Sequence, residues 1–131
     1  MTLYVGLFRG DAEVDGWVLG HYSDFGTFRD VVREQCQDIA LPLLLAASDC
    51  DAFFRPDDLP RLRSELLLVA ARFRTLPPMS FTSAFVHNAA LWSAASSLHG
   101  CFHNVDGEPL IDALIGLCDQ GIAEDLPLAF Q

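Results

Sequence analysis

A single-domain α+β fold is what this sequence predicts, on three observations. Apolar residues alternate at period two near both ends of the chain, as Leu3, Val5, Leu7 and as Leu126, Leu128, Phe130. Between them, three segments carry apolar residues at three- and four-residue steps, the spacing of a helix with one buried face. The chain has 131 residues, 51% of them apolar. That length suits one core, burying roughly two-thirds of the unfolded surface, and is too short for two ordinary ones. The expected architecture is a small mixed sheet, built from an N-terminal hairpin plus the C-terminal strand, packed against three to four helices. Residues 1–131 form one domain in this reading.

Leu3 to Phe8 reads as a strand, Gly10 to Glu13 as the connection, and Val14 to Tyr22 as the returning strand. Gly16 and Gly20 fall inside the second strand and mark bulges or close packing. Ser23-Asp24 is placed to cap a helix over about 24–37, with Phe25, Phe28, Val32 and Cys36 on its apolar face. The run Leu41 to Ala47 fits a buried strand, including 43–46, or a buried helical turn, and period alone does not separate them. Ser48 to Pro56 reads as a loop. Asp57-Asp58 opens a helix to Phe73, with Leu59, Leu62, Leu66, Val69 and Phe73 buried. Phe81 to Val86 fits a strand and Ala89 to Leu98 a helix. Asn104, Asp106 and Gly107 supply turn chemistry. Pro109 then suits a first helical turn, the stripe from Leu110 to Ile122 a helix near 108–121, and Gly121 its stop. Leu126 to Phe130 is a short strand, with Pro127 at its start or on an edge.

The net charge is −10, from 18 acids against 8 bases, and every base is Arg. Nucleic acid and anionic membranes both need a basic face, so neither is expected as a partner. A basic protein fits, and so does a well-solvated surface with no particular partner. No apolar run approaches the about 20 residues of a membrane helix. No basic segment precedes an apolar block at the N-terminus, so no signal peptide is expected. Cys36, Cys50, Cys101 and Cys118 are scattered, which suits reduced thiols in the cytoplasm. Cys36 and Cys118 fall on apolar helix faces and are expected in the core.

Few patterns carry chemistry. His99, Cys101 and His103 alternate, so on a strand they would share a face and could converge on a metal ion. No second cluster at zinc-finger spacing accompanies them, and such residues are common in cores and turns. Asp49, Asp51, Asp57 and Asp58 could gather a hard cation, but Phe53 and Phe54 interrupt the register and no Gly is present. A solvated acidic loop with a capping pair is the simpler account. No nucleophile elbow, phosphate loop or dinucleotide motif occurs. Neither a cofactor nor catalytic residues are assigned. Trp17 and Trp92 are expected in the core. Phe53 and Phe54 stand in a polar loop beside Arg55, and aromatics with Arg are usual interface anchors.

Three stretches carry a family resemblance. They are Leu3 to Phe8 with Gly20-His21-Tyr22-Ser23-Asp24-Phe25 and Phe28-Arg29-Asp30; Leu43 to Asp51, holding Ser48-Asp49-Cys50-Asp51; and Cys101 to Leu110 with Leu126 to Gln131. On these, the chain resembles the immunity protein 70 family of bacterial polymorphic toxin systems. The family pattern continues Ser-Asp-Cys-Asp with Gly and an aromatic, where this chain has Ala52 and Phe53. The resemblance implies a cytoplasmic antidote that binds a cognate toxin domain and blocks it by occlusion, with no active site of its own. The acidic balance would suit a basic toxin, for example a nuclease. The expected contact surface is Asp49, Asp51, Phe53, Phe54, Asp57 and Asp58. The competing readings are a small metal-dependent enzyme using His99, Cys101 and His103, and a homodimer or structural partner.

Overall fold

The structure, a computed structural model, describes residues 2–48, 51–80 and 89–131. Strand β1 (Thr2–Arg9) turns at Gly10, whose φ of 63° is open to glycine at little cost, into β2 (Ala12–His21). Two register shifts, at Leu3/Tyr4 and Leu7/Phe8, interrupt the hairpin. The first leaves Leu19 without a partner across the ladder, and its side chain is fully buried. Helix α1 (Tyr22–Gln35) follows at once. It starts two residues before the sequence expectation, because the cap is His21 rather than Ser23-Asp24. Asp24 sits in the first turn, and its carboxylate accepts the His21 N–H at 2.9 Å.

The run from Leu41, open in sequence between strand and helical turn, is helical. Residues 43–46 are not a strand: Pro42–Ala46 form a short helix, α2, with Pro42 in the first turn. The carboxylate of Glu65 decides it. Leu43 N–H donates to Glu65 at 3.1 Å and Leu44 N–H at 2.9 Å, so a side chain 21 residues away satisfies donors that the helix start leaves free. The segment read as a loop contains strand β3 (Ala52–Phe54). A 3₁₀ turn, Pro56–Asp58, leads into α3 (Leu59–Arg74). Helix α4 (Ala89–Ala94) is shorter than expected, and Leu98–Cys101 is a second 3₁₀ turn. The strand expected over Phe81 to Val86 lies outside the described residues. Helix α5 (Leu110–Glu124) has Pro109 as its N-cap. It runs through Gly121 and stops at Asp125, which adopts a left-handed φ of 56°. Strand β4 (Leu128–Phe130) closes the sheet.

The sheet is antiparallel, in the order β2-β1-β4-β3. Pairing sorts its residues by face, since partners directly opposite point the same way. Trp17, Val5, Phe130 and Ala52 form one row, and Asp15, Leu7, Leu128 and Phe54 another, both on the helix-covered face. Gly16, Gly6, Ala129 and Phe53 form a row on the opposite face. Over the first face, Phe25 of α1 meets Phe130 edge-on at 5.0 Å. Phe28 contacts Phe25, Phe73 and Phe102 with ring centroids 6.1, 6.3 and 5.2 Å away. Trp92 completes the cluster against Phe102 at 5.1 Å and donates its indole N–H to the Met79 carbonyl. Trp92 is therefore core, as expected, whereas Trp17 is only part-buried.

Cys36, Cys101 and Cys118 are free and buried, with Cys36 and Cys118 in the core as expected. Burial raises all three thiols, Cys118 to about 12. A thiolate at these positions is disfavoured, so they resist alkylation in the native state.

Candidate functional site

Strand β3 and helix α2 place the expected contact residues along one groove. Asp51, Phe53, Phe54 and Asp58 line it with Leu43 and Ala46, around a volume of about 240 Å³. Asp57 is exposed on the adjoining 3₁₀ turn. Asp49 lies outside the described residues. The alternation of β3 separates the two aromatics. Phe53 is 64% exposed, while Phe54 is 6% exposed and packs edge-on against Phe130 at 5.9 Å. Phe54 is thus a core residue, and the expectation of an exposed ring there is corrected. Its parity puts it on the helix-covered face with Leu128 and Leu7.

The His99, Cys101, His103 pattern does not sit on a strand. His99 and Cys101 belong to the 3₁₀ turn, and His103 makes a single bridge to Pro109. Cys101 Sγ is turned toward the Ser97 carbonyl at 3.8 Å. His99 Nε2 lies 3.1 Å from Asp112 Oδ1, which also receives Arg74 at 3.3 Å. That network ties the end of α3 to the start of α5. Among the described residues, no group of three His, Cys, Asp or Glu side chains is placed to hold a metal ion.

His103 is 7% exposed, and burial lowers its pKa; a hydrogen bond to the Cys101 backbone works against that shift and the nearby His99 adds to it. The folded state then binds fewer protons than the unfolded chain just below about pH 6.5. Stability from this group is full above that pH and falls as the solution is acidified. An NMR titration should place the His103 midpoint below the ordinary histidine value, with thermal stability declining from about pH 6.5 to 5. A midpoint at or above the ordinary value would contradict the burial argument.

Two further surfaces were not foreseen in the sequence. A cleft of about 520 Å³ runs between β2 and the start of α5, with Asp15, Trp17, Asp106, Glu108 and Asp112 on its walls. It exists because the Val105 N–H donates to the Val18 carbonyl, pinning the 104–108 turn to β2. Asn104 shapes that turn: its amide donates to Glu108, and its oxygen accepts the N–H groups of Asp106 and Glu108. The second surface is the sheet face opposite the helices. There Tyr4 lies over Gly16 and Gly6, where an added Cβ would come within 2.7 and 2.6 Å of its ring carbons. The glycines of β2 and β1 are thus the seat of an aromatic ring. Tyr4 hydroxyl donates to Glu13. Burial, then that bond and the charges of Glu13 and Asp15, hold the phenol well above its usual range.

These features define a class: a small acidic α+β protein whose polar groups are used in capping and ion pairs, and whose aromatic groups partly reach the surface. No helix among the described residues is long and apolar enough to cross a membrane. The family model for immunity protein 70 matches residues 10–130, nearly the whole chain. The chain belongs to that family. No curated protein and no solved structure matches it.

Proposed function

We propose that this protein is a cytoplasmic antidote that binds one cognate toxin domain of a polymorphic toxin system and neutralises it by occlusion, without catalysis. Membership of the immunity protein 70 family over residues 10–130 is the observation that carries this reading. Charge supports a basic toxin, a nuclease being one such class: the chain is at −10 and has no Lys. The proposed contact surface is the β3 groove with its acidic flank, namely Asp51, Phe53, Asp57 and Asp58, joined by Asp49 on sequence alone. Phe53 offers an exposed ring on the groove's wall, and an aromatic anchor surrounded by polar groups is the usual composition of a binding hot spot.

The experiment is calorimetry with the catalytically inactivated toxin domain encoded beside this chain. A complex of one to one is expected. The double variant Asp51→Arg, Phe53→Ser should bind at least tenfold more weakly while melting within a few degrees of wild type, because both side chains are exposed. An unchanged affinity would remove this surface.

A further inference from the structure

The open sheet face carries a second aromatic trough that is continuous with the β3 groove. Phe53 is the shared wall: it lines the groove on one side and, with Phe8, Asp11, Pro127 and Ala129, a hollow of about 430 Å³ on the other. Pairing explains the shape. Phe53 stands opposite Ala129, and Ala129 opposite Gly6, so the middle of the sheet is low. The Phe8 N–H donates to the Pro127 carbonyl, which places Phe8 across β4 from β3. Strands lie about 4.8 Å apart and residues about 3.4 Å along a strand, so the backbones at Phe8 and Phe53 are about 12 Å apart across the sheet. A hollow of that width and volume has room for one long side chain from a partner. Tyr4 packs edge-on against Phe8 at 6.5 Å, on the side toward β2.

The charges around the trough select its occupant. Asp11 lines the trough, and Asp51 and Asp58 line the adjoining groove, with Arg9 and Arg55 as the bases nearest in sequence. Exposed ring faces flanked by carboxylates are the chemistry that recognises guanidinium and ammonium groups, through cation–π contact and ion pairing. We propose that this trough seats a basic segment of the toxin, with an Arg or Lys side chain lying between Phe8 and Phe53 and paired to Asp11 or Asp51. The inference rests on the antidote reading and deepens it, by extending the docking surface from the β3 groove onto the sheet.

The test uses the full chain and the same inactivated toxin domain. Asp11→Arg changes an exposed residue at the hairpin tip and leaves the fold intact; Phe8→Ala removes one ring. Each should weaken binding by about tenfold or more, in the range of interface hot spots, and raising salt from 0.15 to 0.5 M should weaken the wild-type complex. Leu68→Ala, on the exposed side of α3, serves as the control and should bind as wild type does. Tight binding retained by both Asp11→Arg and Phe8→Ala overturns the trough and leaves the antidote reading standing. So does light scattering that finds a dimer held through Phe8 and kept in the complex. If the wild-type chain binds no toxin domain, the antidote reading falls and the trough falls with it.

Discussion

Phe28→Ala lowers the unfolding free energy by about 3–5 kcal/mol, the usual loss for truncating a buried phenylalanine. Domains of this size have about 5–15 kcal/mol in total, so the loss brings the chain near its unfolding threshold. Phe28 is fully buried and touches rings from three directions: Phe25 in its own helix, Phe73 on α3 and Phe102 ahead of α5. Those neighbours are held by separate elements, so the space left behind cannot collapse cheaply. The midpoint of urea unfolding should fall with little change in slope. A loss under about 1 kcal/mol would mean that this cluster is not the centre of the core.

Glu65→Ala costs about 3 kcal/mol, by a different mechanism. The Glu65 carboxylate is 3% exposed, and it accepts the N–H groups of Leu43 and Leu44 at the start of α2. Arg61, 3.6 Å away and largely exposed, adds little. Removing the carboxylate leaves two donors without their acceptor, one of them on the buried residue Leu44, and each such group costs about 1–3 kcal/mol. The negative charge also sits at the positive end of α2. Glu65→Gln keeps one acceptor oxygen and should lose about half as much. Amide exchange reads the mechanism directly: Leu43 and Leu44 should lose protection in the alanine variant before the rest of the core does. Uniform loss across the chain would point to general unfolding instead. Because α2 forms one wall of the β3 groove, the same variant should also weaken toxin binding.

The three long helices were legible because each buries a stripe, and a stripe is local information. Phe25, Phe28 and Val32, then Leu62, Leu66 and Val69, then Leu110, Leu114 and Cys118 all face the core. The starts of the first and last were less legible, since their caps are His21 and Pro109 rather than the usual Ser or Asp, whereas α3 does start at Asp58. Leu41 to Ala47 could not be resolved by period, because what makes it helical is a carboxylate far along the chain. Strand β3 was missed for a related reason: three residues carry no readable alternation, and only pairing with β4 turns Ala-Phe-Phe into a strand. The contact surface divides in the same way. Composition picked out the acids and rings of residues 49–58, but separating exposed Phe53 from buried Phe54 needs the register. The open face was invisible, because Phe8 and Phe53 are 45 residues apart and meet only across β4.

The central claim is that this molecule works by covering another protein, and the most direct test is titration of the active cognate toxin domain with purified wild-type chain while its activity is followed. Activity should fall linearly and vanish at one equivalent. Full toxin activity in the presence of several equivalents would contradict the account.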